Sequence, residues 1–217
     1  MGIVLDIDET LSWTVGYWIS KMVKKFDNPE ELSPEELVRK YRYVQNIPYW
    51  QTNEINFWIE QQINSDEFQI HLPLIEANVI YHLSLINKIA PITGYLTTRP
   101  EKVRKGTLNW LSKHNFPKLP VHFRPSSVPH SHSHVWKADY LINSYPTIQG
   151  IIDDDSRIIP LLADNYGGHI FLFGHTKYDG EGQTLNIHCV RNWTETSKIV
   201  MEVFGAIQPL KSLKNQP

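Results

Sequence analysis

The chain has 217 residues, 41% hydrophobic and 20% charged, with a formal net charge of −2. That length suits one substantial core with a modest insert, and a charge so near zero gives no reason to expect nucleic acid or an anionic membrane as partner. The single cysteine, Cys189, excludes an internal disulfide framework and fits a reducing compartment.

No run of about 18 apolar residues is present to span a bilayer. The first predicted strand starts almost at Met1, so no signal peptide is expected. A cytoplasmic protein is expected. Ile3-Val4-Leu5 reads as a short buried strand and runs directly into Asp6-Ile7-Asp8-Glu9-Thr10. Carboxylates at i and i+2 where a strand ends can both be aimed into one crevice, and open α/β sheets hold their ligands there. Two like charges so close raise a pKa unless a cation or a shared proton compensates. Alone, such a pair also suits a capped turn. It makes chemical sense where a hard divalent metal is held, one carboxylate serving as nucleophile and the other as acid/base.

Residues 12–72 differ in character, with eleven aromatics against fourteen in the rest of the chain. Ser33-Pro34-Glu35-Glu36 is a capping box with proline at the first helical position. Thr52 or Asn53 is placed to cap a helix through Gln62, with Ile55, Trp58, Ile59 and Gln62 on one face. No strand alternates with these helices, so the segment reads as an inserted helical module. From Leu72 onward helices are expected at 73–89 and 101–114, from near Lys137, and from Thr194; strands at 92–96, 121–123, 148–152, 169–173 and 187–190. Strands alternating with helices predict an α/β fold with a parallel sheet and right-handed crossovers. The organisation expected is a core of residues 1–11 and 73–208, a helical module at 12–72 and a frayed tail at 209–217.

Three of the predicted strands end in site-like residues: Asp6 and Asp8, Thr97 and Thr98, Asp153 and Asp154. In a parallel sheet these ends share one edge. With Lys137 they supply carboxylates for a metal, a hydroxyl with neighbouring backbone donors, and a fixed positive charge. A phosphate dianion about 4 Å from a carboxylate is repelled by roughly 4 kcal/mol per charge pair at an effective dielectric near 20. A metal and a lysine offset that repulsion before attack is feasible.

Four motifs in order then resemble those of the haloacid dehalogenase (HAD) superfamily of phosphohydrolases. They are Val4-Leu5-Asp6-Ile7-Asp8-Glu9-Thr10, Gly94-Tyr95-Leu96-Thr97-Thr98-Arg99-Pro100, Trp136-Lys137-Ala138-Asp139-Tyr140-Leu141 with its lysine opening a helix, and Ile151-Ile152-Asp153-Asp154. The resemblance spans nearly all of the chain outside 12–72. It implies a Rossmannoid core, a Mg²⁺ ion, and a mobile helical cap over the site formed by the insertion. It also implies roles. Asp6 resembles the nucleophile that becomes an aspartyl-phosphate and ligates Mg²⁺. Asp8 resembles the general acid/base, with its carbonyl on the metal. Thr97 and Lys137 resemble the phosphate-positioning pair, with Thr98 beside them, and Asp153 and Asp154 the remaining metal ligands. Asp155 leaves the register of that acidic pair open by one residue, and Thr10 reads as a brace for the loop.

Other features have plainer readings. His130-Ser131-His132-Ser133-His134 reads as a solvated loop, since its spacing fixes no metal geometry. Arg99 suits structural pairing as well as phosphate contact, and the 174–182 segment reads as a loop. Trp193 reads as core packing. The aromatics of 12–72 are mostly the module's own core, with Tyr17, Trp18, Tyr49, Trp50 and Trp58 as candidates to face a substrate. The expected activity is Mg²⁺-dependent hydrolysis of a small phosphomonoester, with a nucleoside monophosphate attractive because aromatics stack on bases. Leu5 to Leu11 also looks like the opening motif of phosphatases acting on polymerase C-terminal repeats, so a protein or polynucleotide-end phosphatase is the alternative. The six basic and nine acidic residues of 12–72 make a poor surface for nucleic acid. A HAD-like binding protein without catalysis should lack one of the motif residues, and all are present.

Overall fold

In the computed structural model, which describes residues 1–162, 165–181 and 184–207, six strands are formed. They are β1 (Gly2–Leu5), β2 (Ile92–Pro100), β3 (Val121–Arg124), β4 (Ile148–Asp153), β5 (His169–Phe173) and β6 (Asn186–Val190). All neighbours pair in parallel, in the order β3-β2-β1-β4-β5-β6. The central strands are buried on both faces, which is why they appear in the sequence as unbroken apolar runs. Side chains alternate across them: Ile3, Leu5, Ile152, Phe171 and Phe173 join one apolar cluster, while Val4, Ile151, Ile170 and Leu172 join the other. Helices α5 (Val79–Ile86), α6 (Arg104–Lys113) and α9 (Trp193–Ile207) cover the first face, and α7 (Ser133–Ser144) and α8 (Ile159–Leu162) the second. The result is a Rossmann-like three-layer α/β fold, and its strand order reverses beside β1, where such sheets open a crevice. The expected α/β class and parallel sheet are therefore found.

Residues 12–72 form α1 (Thr14–Lys25), α2 (Pro34–Tyr41), α3 (Asn53–Ile63) and α4 (Asp66–Ile70), with short 3-10 turns at Val44–Asn46 and Pro48–Trp50. Both hydrogen bonds of the Ser33/Glu36 capping box are made, and Thr52 caps α3. Ile19, Met22, Leu37, Ile47, Trp50 and Ile55 give these helices a small core of their own. The segment's last helix leans on the sheet layer instead: Asp66 accepts from the Gly106 amide at 2.6 Å, and Trp110 Nε1 donates to the Leu72 carbonyl at 2.7 Å.

A Cβ at Gly106 would lie 2.3 Å from the Asp66 carbonyl oxygen and 2.6 Å from its Cα. Gly106→Ala gains up to about 1 kcal/mol of helix propensity, but overpacking against backbone costs about 1–3 kcal/mol. The variant should melt several degrees lower in a thermal scan. An unchanged or higher Tm would contradict the close approach of α4 and α6.

Two expectations are corrected. The helix expected at 73–89 spans only Val79–Ile86, because residues 73–75 are tied to the loop after β1. Trp13 N–H donates to Pro73 O and Ile75 N–H to Leu11 O, at 3.0 and 2.9 Å. Lys137 does not open its helix: α7 starts at Ser133, preceded by a 3-10 turn at His130–His132, so most of the expected histidine loop is helical. Among the described residues no helix is long and apolar enough to cross a membrane. The expected tail at 209–217 lies outside the described residues.

Candidate active site

Past Leu5 the chain turns sharply. Glu9 takes a left-handed conformation (φ 54°), and the amides of Leu11 and Ser12 both return to the Ile7 carbonyl at 2.9 Å. A non-glycine residue held there stores strain that the surroundings must over-determine. Trp193, fully buried, does part of this by donating Nε1 to the Thr10 carbonyl at 2.9 Å. The turn aims Asp6, Asp8 and Glu9 into a cavity of about 450 Å³ that Lys137, Asp153, Asp154 and Thr98 also line. It lies at the carboxyl ends of β1, β2 and β4, beside the point where strand order reverses.

Lys137 is 1% exposed, with Nζ 2.5 Å from Asp6 Oδ1 and 2.6 Å from Asp153 Oδ2. The Asp153 contact is off the line of a well-directed hydrogen bond, so it acts as an ion pair. One oxygen from each of Asp6, Asp153 and Asp154 lies within 4.8 Å of the others. One ammonium among three carboxylates leaves the group short of positive charge. Burial pushes Asp6 up to about 8, against the pull of Lys137 and with help from Asp153 and Asp8. Asp154 is raised well above its ordinary value by burial and by Asp6 and Asp153. The two carboxylates hold Lys137 firmly charged although burial opposes it. The cluster therefore has room for a proton or a cation beyond Lys137. An all-oxygen donor set gathered this closely is the kind that a hard cation such as Mg²⁺ takes.

Asp8 has a different environment. Arg99 donates Nε and Nη2 to its two oxygens at 2.9 and 2.7 Å, and Thr14 adds a third donor at 2.6 Å. Burial alone would raise Asp8, but the Arg99 charge and these hydrogen bonds bring it below the usual carboxylate range. Arg99 itself is 4% exposed, donates to Thr107 and Ser12, and lies over the Trp110 ring. It is a structural partner of Asp8 rather than a free anion receptor.

Asp155 is engaged by Arg157 through both oxygens at 2.8 Å, so Asp153 and Asp154 are the acids left to the cluster. Thr97 is fully buried and its hydroxyl accepts the Arg99 amide at 3.2 Å, whereas Thr98 lines the cavity. None of the five aromatic candidates lines this cavity, and Trp18 lines a second space beside it. Tyr17 packs on Phe68, Trp58 between Trp18 and Phe26, and Tyr49 on the buried Trp50, whose Nε1 donates to Asp27 O.

The chain matches no family model and no curated protein at a significant level of similarity. Its chemistry has to be argued from the site alone.

Residues not assigned to the site from the sequence also line the cavity, namely Glu9, Arg42, Tyr43 and Gln45, and so does His130 of the histidine run read as a solvated loop. Glu9 accepts the Val15 amide of α1 at 2.6 Å and is pushed up to about 7, mainly by burial. His175, on the loop after β5, has Nε2 2.9 Å from Arg42 Nη2 and 3.1 Å from the Asp154 carbonyl. That nitrogen accepts from Arg42 in one tautomer and donates to the carbonyl in the other, linking the helical segment to the acidic strand end. Two of these residues carried a signal in the sequence: Glu9 as the third acid of Asp6-Ile7-Asp8-Glu9, and His130 as the first of the spaced histidines. Gly182, the far end of the 174–182 loop, lies outside the described residues.

Proposed function

We propose that this chain is a Mg²⁺-dependent phosphomonoester hydrolase of the haloacid dehalogenase type, acting on a small substrate through an aspartyl-phosphate on Asp6, with the 12–72 helices as its cap. The observation that carries the reading is the Asp6/Asp153/Asp154 group, buried but for the half-buried Asp154, whose three carboxylates face the single ammonium of Lys137, with Asp8 on the same turn. The strand order is also that of dinucleotide-binding folds. Here, however, the turn after β1 presents carboxylates where those folds need glycines and backbone donors, and acids there repel a pyrophosphate.

The residues divide the work as follows. Asp6 attacks phosphorus; its oxygen–phosphorus bond forms as the bond to the leaving oxygen breaks. Asp8 gives that oxygen a proton and recovers one from the water that then attacks phosphorus, releasing phosphate and restoring Asp6. With Arg99 holding it ionised, Asp8 rests as the base of the second step. It becomes the acid of the first only when a bound phosphate dianion raises its proton affinity. Lys137 keeps Asp6 in place and opposes the charge of the arriving phosphoryl oxygens, and Thr98 offers them a hydroxyl. A divalent cation held by Asp6, Asp153 and Asp154 would supply the remaining charge neutralisation.

The test is phosphate release from phenyl phosphate and acetyl phosphate. Activity should vanish in EDTA and return with Mg²⁺. Turnover indifferent to EDTA, or none on any phosphomonoester of a broad panel with Mg²⁺ present, would overturn the reading.

A further inference from the structure

Beside the acidic cavity lies a second one of about 240 Å³. Asp8, Val15, Tyr43, Gln45, Thr98 and His130 line both. The first is ringed by acids, but the second is walled mainly by Trp18, Val44, Ile59 and Ile63 from the helical segment, facing Pro100 at the end of β2, and its polar Thr14 and Gln69 are already bonded to Asp8 and the Ile63 carbonyl. Trp18 is a fixed wall, with Trp58 edge-on at 6.0 Å and Phe68 at 4.8 Å. The only carboxylate and guanidinium in this lining, Asp8 and Arg99, are joined to each other by two hydrogen bonds. Partial desolvation, with Arg124 and Arg157 nearby, keeps His130 at the rim below its ordinary value and so neutral.

These walls define what can occupy the space. A carboxylate, an ammonium or a second phosphate would enter with no counter-charge to meet it, and a polyol would exchange most of its water partners for a mainly apolar wall. An apolar cavity of about 150 Å³ accepts benzene, while drug-sized ligands fill roughly 300–1,000 Å³. The second cavity lies between these, so it fits one ring or a short branched chain and is small for a nucleoside. Asp8 stands at the junction of the two cavities. An oxygen joining a phosphoryl group in the first to an apolar group in the second would lie beside its carboxyl.

We propose that the second cavity is a subsite for a compact, uncharged, apolar group, an aryl ring or short branched alkyl chain. Taken with the phosphatase reading, on which this part rests, that group is the leaving alcohol of the substrate.

Two measurements on the full chain test this. The first is calorimetric titration with p-cresol of the wild type, of Ile63→Asp, which charges the wall, and of Val44→Phe, which fills the space. The second is kcat/KM with Mg²⁺ for phenyl phosphate, glucose 6-phosphate and UMP. Saturable p-cresol binding is expected, weakened at least tenfold in each variant that keeps the wild-type circular dichroism. Phenyl phosphate should exceed both other esters at least tenfold. The proposal is overturned if the wild type does not bind p-cresol, if folded variants bind it equally well, or if glucose 6-phosphate or UMP is preferred. Should both variants unfold, wild-type binding and ester preference still decide it. Hydrolysis of none of these esters nor of any in the broad phosphomonoester panel, with p-cresol bound by the wild type and lost in the variants, upholds the subsite and overturns the phosphatase reading alone.

Discussion

Asp6→Asn is expected to lower kcat on a good phosphomonoester by at least about 10³-fold, or roughly 4 kcal/mol in the barrier. Asparagine keeps the shape but removes the attacking oxygen's charge and an anionic metal ligand together. The loss should not come from unfolding. Asp6 is raised to about 8 by burial, only partly opposed by Lys137, so its ionised form is unfavourable in the fold. A neutral isostere relieves repulsion from Asp153 and Asp8, and its Tm in EDTA should equal or exceed that of the wild type. Near-normal kcat in a folded Asn variant would sink the aspartyl-phosphate mechanism.

Lys137→Met should produce the largest loss of stability, and it should depend on pH. The ammonium lies within 2.6 Å of two buried carboxylates, and removing one member of a buried ion pair typically costs about 3–5 kcal/mol. Against a total stability of about 5–15 kcal/mol that is severe, roughly 6–20 °C in Tm for a chain of this size. The sign with pH follows from Asp6 and Asp153, both raised chiefly by burial. A carboxyl raised in the fold contributes stability that is full below its unfolded value, about 3.9, and is lost as pH climbs through its folded value. Without Lys137 both groups rise further, so the deficit should be small near pH 5 and large at pH 8.5. Mg²⁺ at pH 8.5 should recover part of it. Thermal melts at both pH values, in EDTA and in Mg²⁺, measure this. An equal deficit at both would mean that Lys137 supports the fold by packing its methylenes and not by charge.

The parts of this structure legible in the sequence are those decided locally. Strands buried on both faces, such as β4 and β5, are apolar runs of the right length, and the Ser33 capping box is a four-residue pattern whose hydrogen bonds need no distant partner. Asp6, Asp8 and Asp153 were visible because acids at the ends of apolar runs have few inexpensive explanations. What stayed hidden depends on tertiary contacts. Which of Thr97 and Thr98 faces the crevice is set by the register of β2 against β3, and Arg99 meets Asp8 across 91 residues of chain. The aromatics were counted correctly, but the 3-10 turns at Val44–Asn46 and Pro48–Trp50 have no helical period from which to infer a face. Tyr43, next to the first turn, therefore lines the cavities while Trp50 fills a core.

The indole of Trp193 bonds to the Thr10 carbonyl across 183 residues, and this has a consequence for how the protein is made. A ribosome delivers the turn bearing Asp6 and Asp8 long before Trp193, its support. Until α9 emerges, the strained Glu9 backbone lacks that brace, and two clustered acids stand on an unfinished sheet with β5 and β6 absent. Such long-range closure slows folding relative to locally wired chains. It also means that competence waits for α9, and a chain terminated before it carries the acidic signature without a formed site.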